Sequence, residues 1–530
     1  MPNVHRTDDN SSSMLFSCNV TAARRELRKA RDIEYRQKDY NMKRLSVLLI
    51  GTFLLFVSCK NELDGTIHSA VRDGEVSSEE WNEIVNEANS NRKFLDKEGN
   101  LSTELLQSYI RDYTVNNVRG VDDVQFPSDI TQIPADDNVF FNFFLERSGS
   151  MIPYDDRQTT GQFKSAITSL LNAVPNNSDP HNLMFIVNDQ VTLFNKTFKD
   201  FVQSANIMED TKGYGDAQYT EYTCIFDSVL NRTGANEVSI LVSDMIYSTR
   251  FQDKNILAQR IMNEARALTS NIFAGHDDKD ILIIKLNADF RGKYYPYNSP
   301  NIGFYYKGSR PYYMMLVAKS DVMHRLFNGS KYRDFCNFKH LNGYENYYCF
   351  TRKCNNPEYS ILFKNSSRFA PEKGQKQIHS VKKLTSDRGT GETKLVLAVD
   401  MSGIITEPNY LTNVNNYQIQ SKSGFAVSDV IAVDKTDVPV DITHYVPTAT
   451  HLIELTTTES IVNETIYLSL KNEFPAWITK SSTDDDRDKN APGFANTTFA
   501  FKSMMDGIYE AFYSTTEPPV YYKLAINIKK

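Results

Sequence analysis

The chain has 530 residues, 40% of them hydrophobic, which is enough for the cores of more than one domain of ordinary size. Its formal net charge is −7 and its later part carries no long basic run, which argues against a nucleic acid partner. Aromatic residues make up 12% of the chain, with 29 tyrosines and 31 phenylalanines, and Tyr-rich surfaces often serve recognition outside the cell.

Near the N-terminus, a basic start at residues 42–44 precedes an apolar run over residues 45–57. This run is too short to cross a bilayer but has the length of a signal-peptide core. Ser58 and Cys59 follow it directly. The pattern resembles the signal sequence of bacterial lipoproteins, and residues 60–64 are similar to the export tag of Bacteroidetes lipoproteins. The resemblance implies lipidation at Cys59 and a lipid-anchored chain at the surface of the outer membrane.

The resemblance also divides the N-terminal part of the chain. Residues 1–41 become an upstream segment outside the protein proper, residues 42–58 the signal peptide and residues 59–72 a tether. The alternative is a signal anchor that follows a cytoplasmic tail. Residues 73–134 are expected to form a helical segment, because residues 77–80 can cap a helix and apolar residues follow at helical spacing.

From residue 135 to 369, strand-length apolar runs alternate with amphipathic helical segments. The strands are expected at residues 139–145, 183–187, 191–194, 238–242, 281–286 and 312–318. The second and third are joined so tightly that they must be antiparallel. The other strands are almost continuously apolar, which predicts an α/β fold with a mostly parallel sheet covered on both faces.

Glu146, Ser148 and Ser150 come directly after the first of these strands. Carboxylate and hydroxyl oxygens suit Mg²⁺ or Mn²⁺, and ligands of open parallel sheets bind beyond the carboxyl ends of the strands. The three residues resemble the first motif, Asp-x-Ser-x-Ser, of the metal-ion-dependent adhesion site (MIDAS) of von Willebrand factor A (vWA) domains. Glu146 stands where that family has Asp.

Two later segments extend the resemblance. Thr223, near the start of an expected helix, is similar to the family's second motif, with Thr220 as a substitute, and Asp244 at the end of the next core strand is similar to the third. A vWA Rossmann-like domain over residues 135–369 is therefore implied, with a partner's carboxylate completing the coordination of its Mg²⁺ or Mn²⁺. The implied metal residues are Glu146, Ser148, Ser150, Thr223 and Asp244.

The residues also allow a reading without metal. The side chain of Glu146 is one methylene longer than that of Asp, and near-octahedral Mg²⁺ tolerates the displacement poorly. Thr223 and Asp244 could instead cap helices. A second pattern, Asp400 followed by Ser402, lacks the second serine and lies among expected strands, so a strand ending in a turn explains it better.

The stretch between residues 286 and 312 reads as an insertion rich in aromatic and basic residues. Because it leaves the carboxyl end of an expected parallel strand, it should lie on the face that holds the metal residues. It could form a platform for a polypeptide or glycan, or its rings could pack into a small core of their own. The candidate ligand-binding residues are Tyr294, Tyr295, Tyr297, Tyr305, Tyr306 and Arg310.

Residues 370–392 are polar and basic and are expected to form a linker, and short alternating strands over residues 393–530 predict a β-sandwich. Cys336, Cys349 and Cys354 lie close together in the sequence, and the sequence does not decide whether two of them form a disulfide. No Ser-His-Asp order, phosphate loop or His-Glu-x-x-His motif occurs, so no enzyme is expected.

The expected function is adhesion: metal-dependent binding of a protein or glycan ligand. The alternative is a structural or assembly component of a cell-envelope complex with a metal-free vWA domain.

Overall fold

The computed structural model describes residues 62–72, 74–88, 94, 102–118, 121, 124–126, 138–215, 220–247, 256–299, 302–372, 374, 376–433, 440–513 and 517–529. The chain divides into two compact units, Met1–Ala135 and Asp136–Lys530. Cys59, the upstream segment 1–41 and the signal peptide 42–58 lie outside the described residues. Among the helices that are described, none has the length and apolar character needed to cross a membrane.

The first unit contains three described helices, α1 (Glu62–Ala70), α2 (Ser78–Ala88) and α3 (Thr103–Asn117). The predicted tether is thus helical from Glu62 onward, because Leu63, Ile67 and Ala70 recur at helical spacing and are buried. Trp81 of α2 lies in the same small core, with its ring edge-on to Phe126.

The second unit is built on a mixed sheet, which has seven strands in the described part of the chain. They are β1 (Phe140–Glu146), β2 (Leu183–Val187), β3 (Val191–Phe194), β4 (Glu237–Ser243), β5 (Lys279–Tyr294), β6 (Phe304–Lys319) and β7 (Tyr344–Phe350). The spatial order is β3-β2-β1-β4-β6-β5-β7. Strand β1 is parallel to β2 and β4, whereas every other neighbouring pair in this sheet is antiparallel.

The prediction of a mostly parallel sheet is therefore wrong beyond β4. The two expected strands 281–286 and 312–318 are the inner halves of a long β5–β6 hairpin, in register from Lys279 opposite Lys319 to Tyr294 opposite Phe304. Strands joined by so short a loop must be antiparallel. The predicted insertion is the outer half of this hairpin. Its polar residues, together with Gly292 and Gly308, break the apolar pattern that marks a strand.

Helices cover both faces of this sheet. They are α4 (Gln162–Asn172), α5 (Phe198–Val202), α6 (Ile207–Asp210), α7 (Tyr222–Arg232), α8 (Ala258–Ala274) and α9 (Ser320–Asn328). Because side chains alternate along a strand, Phe143 packs with α4 and α5 on one face, whereas Phe144 packs with α7 and α8 on the other. Strand β1 is thus buried on both faces. It ends at the border of the sheet that contains the carboxyl ends of β1, β2 and β4.

Two further sheets follow, and they share one core. The first has the order β12-β15-β18-β10-β9 and the second β13-β14-β11-β8. Their strands are β8 (Tyr359–Leu362), β9 (Ala370–Pro371), β10 (Ser380–Lys382), β11 (Thr393–Val399), β12 (Tyr417–Gln420), β13 (Ala426–Ala432), β14 (His451–Thr457), β15 (Glu464–Lys471) and β18 (Val520–Lys529). Strands β9 and β10 fall inside the predicted linker, so the sandwich begins before residue 393. The short helices α10 (Pro408–Leu411) and α11 (Val440–Tyr445) lie between its strands.

The C-terminal part of the chain crosses back to the first sheet of this unit before it ends in β18. It forms α12 (Ala476–Lys480), the short paired strands β16 (Ser482–Thr483) and β17 (Thr498–Phe499), and α13 (Phe501–Phe512). Helix α13 packs on α8, where Thr269 Oγ1 donates to the carbonyl of Met504 at 2.9 Å. No disulfide links Cys336, Cys349 and Cys354, the three cysteines for which the sequence allows one.

Candidate functional site

The carboxyl ends of β1 and β4 lie side by side, because these two strands are parallel neighbours. Glu146 is the last residue of β1, and Asp244 directly follows the last residue of β4. The loop after β1 carries Ser148 and Ser150. This edge of the sheet therefore brings two carboxylates and several hydroxyls to one place, as the order of motifs in the sequence predicts.

Glu146 is held by hydroxyl donors. Its side chain is buried, Oε1 accepts a 2.6 Å hydrogen bond from Thr220 Oγ1, and Oε2 accepts a short one from Ser243 Oγ. The hydroxyl of Tyr222 lies 3.5 Å from Oε2. Burial, together with the negative charge of Asp244, raises the pKa of Glu146 to about 7, although these hydroxyl donors oppose the rise.

Ser148 and Ser150 face each other, with their Oγ atoms 3.0 Å apart. The carbonyl of Ser148 accepts from the backbone N–H groups of Met151 and Ile152, both at 3.2 Å, which fixes the turn after β1. Ser148 also favours the charged form of Glu146, and Ser150 that of Asp244, since both hydroxyls lower the pKa of the carboxyl they approach. Each hydroxyl of the serine pair thus acts on a different carboxyl group.

Asp244 is buried, and only one of its oxygens is satisfied. Oδ1 accepts from the N–H of Ile246 at 3.1 Å, whereas Oδ2 has no hydrogen-bond partner among the described residues. Burial raises the pKa of Asp244. The next residue, Met245, has a φ of 53°, a left-handed conformation that is unusual for a side chain other than Gly or Asn. Such strain is often found at functional sites.

Thr220, not Thr223, reaches this cluster. Helix α7 begins at Tyr222, and Thr223 lies exposed in its first turn, whereas Thr220 in the preceding loop donates to Glu146. The resemblance to the second vWA motif predicts Thr223, with Thr220 as its substitute, and it is the substitute that the structure places at Glu146. Ser243 and Tyr222 were not predicted, since each lies within an apolar stretch and reads as part of the core.

Most of the candidate ligand-binding residues of the β5–β6 hairpin are part of the core. Tyr294 and Arg310 are fully buried, and the Arg310 guanidinium lies 4.6 Å from the Tyr294 ring centroid and 4.4 Å from that of Phe494. Tyr297 stacks on Phe499 at 4.6 Å. Tyr306 is half-buried against Phe494. Of the six candidates, Tyr295 is partly exposed and Tyr305 is 53% exposed, so the predicted aromatic platform is not formed as a set.

An open groove of about 680 Å³ lies beside the serine loop. Gly149 of that loop forms part of its wall, opposite Lys293 and Tyr295 of the hairpin. Arg291, which also lines it, pairs with Asp156 at 3.1 Å. A ligand in this groove would contact the loop that carries Ser148 and Ser150.

The described residues contain no cluster of three or more His, Cys, Asp or Glu side chains able to hold a metal, so a cation at this edge would depend on hydroxyl ligands. The chemistry of the donors fits a small hard cation, because the unpartnered Asp244 Oδ2 and the Ser148 and Ser150 hydroxyls are all oxygen donors. Comparisons with protein families, characterised proteins and solved structures give no match.

Proposed function

We propose that this chain is a surface-anchored lipoprotein that binds a protein or glycan ligand through a metal-dependent, MIDAS-like site in a vWA-like domain. The observation that carries the proposal is the buried Asp244 Oδ2, which lacks a partner in the described structure and lies in a cluster that includes a second carboxyl group. Two buried carboxylates at one place repel each other, and a divalent cation would compensate both charges.

The residues of the cluster would contribute to cation binding in different ways. Ser148, Ser150 and Asp244 would supply oxygens to Mg²⁺ or Mn²⁺, while Thr220 replaces Thr223 as the contribution of the loop before α7. Glu146 would supply charge and orient the hydroxyls that it accepts from. When bound, the cation would supply an electrophilic centre, and a carboxylate on the ligand would complete its coordination. The groove beside Gly149 has room for that ligand.

The vWA assignment is supported by one half of the sheet. Strands β2, β1 and β4 are parallel, β3 is an antiparallel edge strand, and the candidate site lies at the carboxyl ends of β1 and β4. The antiparallel β6 between β4 and β5 is a departure from a Rossmann-like arrangement. The localisation at the outer membrane rests on the signal-like sequence that ends at Cys59.

A second candidate is a metal-free component of a cell-envelope complex. It is favoured by the hydrogen bonds that Thr220 and Ser243 already donate to Glu146, and by the pKa of Glu146 of about 7, which allows this carboxyl to lose its charge by protonation. In that case the same edge of the sheet would bind a neighbouring subunit with no cation.

Calorimetric titration of Mg²⁺ and Mn²⁺ into the full chain tests the proposal. We expect saturable heat with the wild type and affinity at least about tenfold weaker with Ser148→Ala, because a ligand hydroxyl is lost. Ser402→Ala is the matched control. Ser402 follows Asp400 in a similar pattern at the end of β11 but is exposed and far along the chain from the cluster, so it should bind as wild type does.

Absence of heat with the wild type for both cations would reject the metal-dependent function and leave the metal-free candidate. Equal affinity of the wild type and Ser148→Ala would place any bound cation elsewhere. Pull-down of ligands from surface extracts with and without a chelator then separates the two candidates, because only the first loses its ligand when the divalent cation is removed.

A further inference from the structure

A large open cleft of about 1290 Å³ lies on the β-sandwich, far along the chain from the candidate metal site. It is bounded by the segment after β8, from Asn365 to Ala370, and by the loop from Lys383 to Glu392 that leads into β11. Small-molecule sites usually enclose about 300–1,000 Å³. The volume and open form of this cleft therefore suit a length of polymer better than a metabolite.

The lining of the cleft is polar, and its charged residues are mostly basic. Arg368, Lys383 and Arg388 are exposed in it, and none of the three forms an ion pair with a described residue. Lys394 also lines it but pairs with Glu454 of β14. Asp387 and Glu392 are the acidic lining residues. Because the whole chain has a net charge of −7, a cleft with more cations than anions is a local feature that favours an anionic ligand.

One of the two acidic lining residues is held by backbone hydrogen bonds. Asp387 closes its own loop, since its Oδ1 accepts from the N–H groups of Gly389 and Thr390 at 2.9 and 3.0 Å. These bonds lower the pKa of Asp387, so it stays charged while its oxygen is directed into the loop. The backbone thus partly compensates its charge, and Arg368, Lys383 and Arg388 outnumber the two acidic residues among the charged groups of the cleft.

Hydroxyls line the same cleft on a rigid wall. Ser366 Oγ accepts from the N–H of Val396 and Ser367 Oγ accepts from the N–H of Lys394, both at 2.9 Å. A serine that accepts a backbone hydrogen bond still has its own O–H to donate. The β11 backbone therefore holds these two hydroxyls in place while leaving their donors for a ligand rich in oxygen acceptors.

An aromatic pair and a strained lysine lie at this cleft. Phe369 lines it and stacks on Phe363 with centroids 4.8 Å apart, and Phe363 is 45% exposed. Exposed apolar surface beside polar groups commonly marks a binding groove, and the apolar C–H face of a sugar ring can pack on such a ring. Lys383 has a φ of 54°, a strained backbone conformation that the surrounding structure must hold, and such conformations are common at ligand-binding sites.

We propose that this cleft binds an anionic polysaccharide, with Arg368, Lys383 and Arg388 contacting uronate carboxylates or sulfate esters. The serine hydroxyls would bind sugar oxygens, and the Phe363–Phe369 pair would contact the sugar rings. A protein ligand is less suited to a wall of small hydroxyls, and a nucleic acid, which the same cations would also attract, is an outcome that the experiment below separates. This site is separate from the candidate metal site and needs no divalent cation.

Binding of the full chain to polygalacturonate and to dextran sulfate, measured by calorimetry in a chelator, tests the inference. We expect at least one of the two to bind, and uncharged dextran not to bind. The double variant Arg368→Gln, Arg388→Gln should weaken the binding about tenfold, because two exposed charge contacts are lost. Arg333→Gln removes an exposed arginine outside the cleft and should bind as wild type does.

The two probes distinguish carboxylate from sulfate as the charged group. Phe363→Ala should also weaken the binding, which attraction between charges alone would not cause. The inference is overturned if neither polysaccharide binds, if the double variant binds as tightly as Arg333→Gln, or if a single-stranded oligonucleotide binds as tightly as both polysaccharides. Because the measurements are made in a chelator, failure here leaves the metal-dependent function untouched, and failure of the metal titration leaves this inference untouched.

Discussion

Glu146 and Asp244 are the residues on which the proposed chemistry depends. Each is buried, and the charge of Asp244 helps to raise the pKa of Glu146. The Glu146 carboxylate is stabilised by Thr220 and Ser243, whereas Asp244 keeps one unpartnered oxygen in the described structure. Ser150 and the positive charge of Arg310 favour the charged form of Asp244, but burial raises its pKa, so a bound cation should add stability at this pair.

Replacing Glu146 by Gln separates the two effects. At a pH where both carboxyl groups are charged, the amide removes the repulsion with Asp244 and should raise the free energy of unfolding by about 1–3 kcal/mol in a chelator. The same change should remove most of the additional stability that Mg²⁺ or Mn²⁺ gives the wild type. Denaturant unfolding with a chelator and with each cation measures both quantities.

Asp400→Asn is a suitable control for this experiment, because Asp400 follows a similar strand but is only partly buried and caps its own turn through the N–H of Ser402. It should neither gain stability in the chelator nor lose the response to cations. If Glu146→Gln is less stable than the wild type in the chelator, the carboxylate is needed as a hydrogen-bond acceptor, and repulsion is not the dominant effect at this pair.

The sequence identified part of this cluster for a physical reason. Glu146, Ser148, Ser150 and Asp244 follow strands, and residues after neighbouring parallel strands must meet at one edge. Whether Thr220 or Thr223 would join them depended on where a helix starts, and a shift of one turn moves a side chain from the site to solvent. Such boundaries are the least certain part of a sequence pattern.

The β5–β6 hairpin is the element that sequence patterns described least well. Apart from Lys285, its inner halves are apolar and predict separate parallel strands. Arg310 lies in the outer half and is buried, with its guanidinium between the rings of Tyr294 and Phe494. A buried arginine is exceptional, and its partners come from a distant part of the chain. Local periodicity contains no information on such a contact, so the hairpin read as a surface insertion.

Helix α13 gives a sharper test of how the C-terminal segment is held. Gly507 faces α8 so closely that a Cβ atom would overlap Thr269 Oγ1 and the backbone of Arg266 and Ser270. Because backbone atoms cannot turn aside, Gly507→Ala should force the two helices apart and lower the free energy of unfolding by about 1–3 kcal/mol. Calorimetric unfolding of the full chain measures the change in the transition of the second unit.

Gly65 offers the same substitution with the opposite sign. It lies exposed in α1, and a Cβ built there meets nothing within 4 Å. Gly65→Ala should therefore raise the stability of the first unit by about 0.5–1 kcal/mol, since alanine favours the helix. If Gly507→Ala also stabilises the protein, the close approach of α13 to α8 is not a feature of the molecule in solution.

In the second unit as a whole, the order of the chain does not match the order of its sheets. Strand β8 precedes the expected boundary at residue 370 but pairs with β11, whereas α13 follows it and packs on α8 of the first sheet. The final strand, β18, then lies in the middle of a sandwich sheet. Composition suggested two consecutive domains because the sequence pattern changes from alternating helices and strands to strands alone. The segment that packs back on the first sheet makes this contact through a few apolar residues. In the sequence these residues resemble those of any other core segment.

This interleaving predicts that residues 136–369 do not fold alone. One face of the first sheet is covered by Phe501, Met504 and Ile508 from the C-terminal segment, with Phe501 stacked on Tyr313 at 4.0 Å. Without them the fragment would expose a broad apolar patch and the unpaired edge of β8, both of which promote aggregation.

Residues 136–530 contain every element of the unit and serve as the matched control. Both fragments are expressed and measured by near-ultraviolet circular dichroism and denaturant unfolding. Only the 136–530 fragment should give native signals. A soluble 136–369 fragment with a cooperative transition would mean that the C-terminal segment is an accessory layer, and that the first sheet is a domain in its own right.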